Sequence, residues 1–204
     1  MIAIIDYGIN NLDSVKNAFD RLEVDSIVTS DFNIISRANG LILPGVGTAI
    51  EGMRNLKKLR IDKLLTSEVR NGKPLLGICL GMQLLMDWSE EGNVDCLGLI
   101  DGTIEKFTNK LKVPQIGWNN VKISNFELPI TNQIAQNSYF YFVHSYICKP
   151  TDANIVVGTT TYGQEYCSIM KQDNIVGVQF HPEKSGKVGF QLLKNIINYF
   201  ISLC

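Results

Sequence analysis

Histidine, net charge and long apolar runs are all scarce in this chain of 204 residues. The two histidines are His144 and His181, so any chemistry that needs an imidazole must use one of them. Nineteen Lys and Arg stand against 20 Asp and Glu, a formal charge of −1 at pH 7. That balance excludes a global electrostatic pull toward nucleic acid or an anionic membrane. No apolar run approaches the ~20 residues of a membrane span. The opening Met1-Ile2-Ala3-Ile4-Ile5-Asp6 has neither a basic leader nor a long apolar core, so a cytoplasmic protein is expected. The five cysteines (Cys79, Cys96, Cys148, Cys167 and Cys204) are odd in number, widely spaced and free of any Cys-x-x-Cys pair. A disulfide framework or zinc site is therefore not expected, and no metal or cofactor is implied. Four of the five read as small buried hydrophobes. Without repeats, low-complexity tracts or a linker, residues 1–204 read as a single domain.

What is present is an alternation of short apolar runs with segments of helical period. Ile2–Ile5, 24–28, Gly40–Leu43 and 74–78 read as strands. Leu12, Val15, Ala18, Phe19 and Leu22 follow helical spacing, and further helices are expected near 48–58, 62–71 and 80–88. Apolar strands alternating with helices predict an α/β fold: an open, mostly parallel sheet covered by helices on both faces. From about residue 103 to 180 the pattern changes. Strands are expected at 113–123, 138–148, 154–161 and 174–180, with no long helix between them. They form an antiparallel extension of the sheet or a small separate layer. A last helix near 186–201 carries Val188, Leu192, Leu193, Ile196, Ile197 and Phe200 on one stripe.

The chemistry concentrates in a few short motifs. Gly77-Ile78-Cys79-Leu80-Gly81 places a cysteine between a strand and a helix, with glycines two residues to either side: a nucleophile elbow with Cys as nucleophile. A sharp turn there strains the nucleophile's backbone and leaves no room for flanking side chains. The following helix would aim its N-terminus at the sulfur and favour the thiolate, and the N–H of Leu80 could donate to an oxyanion. Alone, the motif is equally a buried cysteine beside packing glycines. His181-Pro182-Glu183 follows an apolar strand. In extended geometry His181 and Glu183 face the same way, so the carboxylate can orient the imidazole. Alone, it reads as a surface turn. His144, inside an aromatic strand with no carboxylate nearby, reads as a packed histidine or a substrate wall. Leu43-Pro44-Gly45-Val46-Gly47 ends a parallel strand, where ligands gather in open α/β sheets. Gln83 lies one helical turn after Cys79 and could grip a polar substrate.

Together these motifs, in the order Cys, His, Glu, resemble the class I (triad) glutamine amidotransferases, whose fold is flavodoxin-like. The resemblance spans nearly the whole chain. It is strongest toward the glutaminase subunits of imidazole glycerol phosphate synthases, through Asp6-Tyr7-Gly8, Lys112-Val113-Pro114 with Gly117-Trp118-Asn119, Tyr141 to Tyr146, and His181 to Ser185. It implies that Cys79 is the nucleophile, His181 the base and later the acid, and Glu183 its orienter. It implies an oxyanion site from Leu80 with Val46 and Gly47, and a glutamine pocket from Gly45, Gln83, His144, Ser145 and Tyr146. It also implies a (β/α)₈ barrel cyclase as partner, met through Trp118, Asn119 and Lys184. In that family the barrel uses the ammonia in histidine biosynthesis to make imidazole glycerol phosphate and an aminoimidazole carboxamide ribotide. Two positions depart from the pattern. Asn10 replaces a glycine and Gln115 replaces a histidine, which leaves open a paralogous barrel serving acetamidino-sugar synthesis. A silent scaffold subunit and a stand-alone cysteine hydrolase are the remaining alternatives.

Overall fold

The structure, a computed structural model, describes residues 1–9, 11–108 and 111–203. The Asn10 departure and Cys204 lie outside the described residues. In chain order the elements are β1 (Ile2–Ile5), α1 (Leu12–Arg21), β2 (Ser26–Thr29), α2 (Phe32–Arg37), β3 (Gly40–Leu43), α3 (Ala49–Leu59), α4 (Ile61–Arg70), β4 (Leu75–Ile78) and α5 (Leu80–Gln83). There follow β5 (Trp88–Ser89), β6 (Val94–Asp95), β7 (Gly102–Lys106), β8 (Gln115–Ile123), β9 (Ser138–His144), β10 (Tyr146–Pro150), β11 (Val156–Thr161), β12 (Glu165–Gln172), β13 (Ile175–Val178) and α6 (Gly186–Ser202). No helix among the described residues is long and apolar enough to cross a membrane.

The sheet runs β2-β1-β3-β4-β13-β12-β10-β7-β5-β6. Its first five strands are parallel. β1, β3, β4 and β13 are short apolar runs buried on both faces, while β2 at the edge is only partly buried. Along β1, Ile2 and Ile4 pack under α1 and α6 with Val15, Phe19, Leu192, Ile196 and Phe200. Ala3 and Ile5 turn to the other side, against Ile35 of α2, Met53 and Leu56 of α3, and Leu65 and Val69 of α4. This is the mostly parallel, doubly covered sheet that the periodicity implies. The second half supplies both antiparallel alternatives at once. β12, β10 and β7 extend the sheet, while β8 and β9 form a ribbon attached through β11.

Several expected elements are corrected. The helix expected over 80–88 is only four residues long. The carbonyls of Leu84, Leu85 and Met86, which a longer helix would use internally, instead accept N–H groups from Leu97 to Ile100. The strand expected over 138–148 is broken at Ser145 into β9 and β10, which join different neighbours. β12 and β7 were not foreseen, and neither was α2, which is capped by Asp31 accepting from the Asn33 and Ile34 N–H groups.

The register decides what meets what. β4 lies between β3 and β13, pairing Gly77 with Leu43 and with Gly177. The segments after β3, β4 and β13 therefore emerge side by side at the carboxyl edge of the sheet, where such sheets bind ligands.

Candidate active site

Cys79 is the first residue past β4. Its N–H donates to Val178 O at 2.8 Å, which ties it to the end of β13. Its backbone has φ 54° and ψ −107°, a conformation that costs a non-glycine residue on the order of 1–3 kcal/mol and that persists only when the surroundings impose it. The flanking glycines impose it through close packing. A Cβ on Gly77 would stand 2.8 Å from the Gly81 backbone, and one on Gly81 would stand 1.7 Å from Leu43 O. The elbow therefore presses directly onto β3.

His181 lies fully buried beyond β13. Its Nδ1–H donates to Glu183 Oε1 at 2.8 Å, and both side chains are shut from solvent. Its backbone N–H donates to Tyr141 O at 2.9 Å, and Ser185 Oγ donates to His181 O at 2.6 Å. Asn11 Nδ2 also donates to Glu183 Oε1, at 2.8 Å. Burial alone would raise the Glu183 carboxyl, but these two donors and the His181 charge hold it below its ordinary range. Burial likewise opposes charge on His181, yet the Cys79 sulfur and the Glu183 carboxylate outweigh it and hold the imidazolium up to about 10. His181 Nε2 makes no hydrogen bond among the described residues, so the nitrogen opposite Glu183 is free for proton transfer.

The sign of this linkage follows from an unperturbed value of 6.5. A raised folded-state value stabilises the fold fully below pH 6.5, and the contribution fades as pH rises through about 10. Cys79 is the largest influence favouring the charge, so Cys79→Ala is expected to move the His181 titration to lower pH. NMR of the imidazole nitrogens measures this, and an unmoved titration would contradict the coupling.

The sulfur itself touches two polar groups besides the imidazole's field. Val143 O lies 3.7 Å away and Gln179 Nε2 lies 3.7 Å away. The expected help from a helix N-terminus is corrected here, because four residues of α5 sum to little macrodipole.

A cavity of about 150 Å³ opens beside the sulfur, lined by Val46, Gly47, Leu80, Gln83, His144, Ser145 and Tyr146, together with Glu91, Pro114 and Val143. All but Gly45 of the residues anticipated for substrate and oxyanion thus meet at one cavity. Gly45 sits behind it, with its carbonyl accepting the Leu80 N–H at 3.4 Å and no room for a Cβ, which would fall 2.5 Å from Tyr7 Oη. Gln83 is buried, with its Nε2 donating to Tyr146 O at 3.0 Å and to Gln179 Oε1 at 3.1 Å. His144 is bonded at both nitrogens, to Tyr146 O at 2.8 Å and Tyr166 Oη at 3.3 Å. Burial lowers it to about 4, against the pull of the Tyr146 carbonyl, so it is neutral. Gln115 faces His144 across β8 and β9, and its side chain bonds Tyr166 Oη at 2.9 Å. This departure from the family pattern therefore belongs to the buried wall behind His144, away from the exposed surface.

Trp118 is 55 % exposed and stands edge-on to Tyr141, its cross-strand neighbour. Lys184 is exposed in the turn that follows His181. Asn119 points elsewhere, its amide donating to Thr161 O at 2.9 Å. Sequence reasoning missed Asn11, Gln179 and Glu91. Gln179 was within reach, because it lies two residues before His181 in the same short motif. Asn11 meets Glu183 across 172 positions, and no local pattern announces it. Among the described residues, no group of three His, Cys, Asp or Glu side chains could hold a metal ion.

Comparison with known proteins agrees with this geometry. Residues 3–198 match the profile of the family described as glutamine amidotransferase class-I. The chain is 48 % identical to imidazole glycerol phosphate synthase subunit HisH 2 of Methanococcus maripaludis, over 97 % of this chain and 98 % of that one. It is 44 % identical to subunit HisH of Oceanobacillus iheyensis, over 95 % and 96 %. Among solved structures it resembles PurLQS of Thermotoga maritima, with TM-score 0.74, 20 % identity and coverage of 97 % of each chain. A glutamine amidotransferase of the same organism has TM-score 0.73 at 16 % identity, covering 98 % of this chain and 97 % of that one. At those identities the structures speak for the fold.

Proposed function

This chain belongs to the class-I glutamine amidotransferases, and we propose that it is the glutaminase subunit of an imidazole glycerol phosphate synthase, releasing ammonia from glutamine for a (β/α)₈ cyclase in histidine biosynthesis. The observation that carries the chemistry is the convergence of Cys79 and His181 from neighbouring parallel strands, with Glu183 on the far nitrogen of the imidazole. Relatives that align over nearly the whole chain carry that synthase's name, which favours the histidine pathway over the acetamidino-sugar alternative. The reading treats residues 1–204 as one glutaminase domain. It places the protein in the cytoplasm, where free thiols such as Cys79, Cys96, Cys148 and Cys167 persist.

In this reading the Cys79 sulfur attacks the side-chain carbonyl carbon of glutamine, held in the 150 Å³ cavity. The Leu80 N–H and one from Val46–Gly47 hold the oxyanion. Gly45, Gln83, His144, Ser145 and Tyr146 shape the pocket, and the Glu91 carboxylate in its wall complements an α-ammonium group. His181 Nε2 gives its proton to the departing ammonia. It then takes one from water, whose oxygen attacks the thioester and releases glutamate. Asn11 and Glu183 keep the imidazole aimed.

In the structure the Leu80 N–H is spent on Gly45 O, through a long bond of 3.4 Å. A missing oxyanion donor costs roughly 10²–10³ in rate. The isolated chain is therefore expected to turn over glutamine at least about 100-fold more slowly than the chain bound to a cyclase carrying its own substrate. Glutamate release measured with and without the cyclase tests this, and equal rates would reject the coupling. Trp118 and Lys184 are proposed to meet the cyclase. Asn119 is proposed to support that edge through its bond to Thr161. Trp118→Ala is expected to weaken the complex by about 2 kcal/mol, roughly 30-fold in Kd, as read by titration calorimetry. Unchanged affinity would remove Trp118 from the interface.

A further inference from the structure

We propose that Gln179 is a catalytic residue whose side-chain amide donates to the Cys79 sulfur and favours the thiolate, and that Gln83 is the positioning residue that fixes the direction of that amide. The hydrogen-bond geometry is independent of the substrate. Its meaning for turnover rests on the glutaminase reading above.

The assignment follows from counting protons. Gln83 presents one end of its amide to Tyr146 O at 3.0 Å and to Gln179 Oε1 at 3.1 Å. A backbone carbonyl can only accept, so the end of Gln83 that faces it must be the NH₂ group. That group has two protons. One goes to Tyr146 O, and the other requires an acceptor on Gln179. Gln179 must therefore turn its oxygen toward Gln83, which leaves its own NH₂ group 3.7 Å from Cys79 Sγ. Reversing the Gln179 amide would set two NH₂ groups against each other and an oxygen against the sulfur. Gln83 is 5 % exposed and Gln179 0 %, so water cannot repair such a mismatch, and a buried unpaired polar group costs about 1–3 kcal/mol.

The two contacts of the sulfur act in opposite senses. Val143 O, at 3.7 Å, can accept only from the S–H form. The Gln179 N–H can donate only to a lone pair, and donation to an anion is roughly twice as strong as to a neutral acceptor. Losing the thiol proton thus exchanges a bond to Val143 for a stronger bond from Gln179, while the nearby His181 supplies the compensating charge. Backbone bonds hold the segment in place: Gln179, the first residue past β13, donates its N–H to Ser168 O at 3.0 Å, and His181 donates its N–H to Tyr141 O at 2.9 Å. Phe180 turns away to stack on Phe140 with centroids 4.0 Å apart.

The test uses the full-length chain and iodoacetamide, with alkylation of the Cys79 peptide followed by mass spectrometry across pH. Burial holds the Cys148 and Cys167 thiols up, so they compete little. In Gln179→Met, which keeps length without a donor, the midpoint of the alkylation curve is expected to rise by about one pH unit, a tenfold change in thiolate fraction. In Gln179→Glu, which keeps shape and adds negative charge, it rises further. Glutamine kcat in Gln179→Met falls about tenfold with KM little changed. Curves that superimpose on the parent's would overturn the proposal.

Should the Gln179 variants not fold, Gln83→Met leaves β13 intact. It is expected to shift the curve the same way by less, and an unshifted curve overturns the proposal. If all fold, Gln83→Met combined with Gln179→Met shifts it no further than Gln179→Met alone, because Gln83 acts through Gln179. Additive shifts would overturn the positioning role. The alkylation readout needs no glutamine. A shift without glutaminase activity would sink the function and spare this inference, and glutaminase with no shift would do the reverse.

Discussion

Replacing Cys79 by alanine is expected to abolish glutamine hydrolysis, with a loss of roughly 10⁴–10⁶ in kcat. The sulfur is the one thiol among the described residues lining the cavity, and the Ser145 and Tyr146 hydroxyls in its wall lack the His181–Glu183 pair that serves Cys79. The variant should fold. The strained backbone at residue 79 is set by the packing of Gly77 and Gly81, so alanine inherits the same geometry and the same cost. In complex with the proposed cyclase it should still support synthesis from added ammonium salts, since only ammonia production is lost. Glutamate release and ammonia-dependent product formation, assayed side by side, check both halves. Residual glutaminase above about a hundredth of the parent rate would mean that another group performs the attack.

The second large effect concerns the elbow's shape. In Gly81→Ala the new Cβ would lie 1.7 Å from Leu43 O and 2.7 Å from its carbonyl carbon, both backbone atoms at the end of β3. Neither partner can rotate away. The helix must lift off or β3 must shift, and either movement displaces Cys79 and the Pro44–Gly47 segment together. The expected cost is at least about 3 kcal/mol, or a drop of roughly 6–12 °C in Tm, with soluble yield falling as well. Gly72→Ala is the control. Its Cβ meets nothing within 4 Å, and only its φ of +94° resists the change, so about 1–2 kcal/mol is expected. Thermal melts of the two variants decide the matter, and equal stability would show that the elbow glycines are not there for packing.

Much of this was legible in the residues. The parallel half was readable because β1, β3, β4 and β13 are short apolar runs with both faces buried, and such runs carry their own signal. The grouping of Cys79, His181 and Glu183 came from three motifs taken together, since each alone was ambiguous. Their pairing was expected from extended backbone, whereas Pro182–Lys184 forms a tight 3-10 turn that still sets Glu183 on His181 Nδ1. The antiparallel half was harder. β12 is recognisable only once β13 and β11 lie beside it, and the break at Ser145 depends on β9 and β10 choosing different partners. The length of α5 was hidden for the same reason, since the groups that end it arrive from residues 97–100. Asn11 and Glu91 join the site through contacts spanning much of the chain, which no local period encodes.

The most direct test of the central claim is acid-quenching the chain during turnover of isotopically labelled glutamine and locating the label by peptide mass spectrometry. The expected result is a glutamyl thioester on the Cys79 peptide, and no label on the chain in the Cys79→Ala variant. Label on any other residue, or turnover with no covalent species on Cys79, would contradict it.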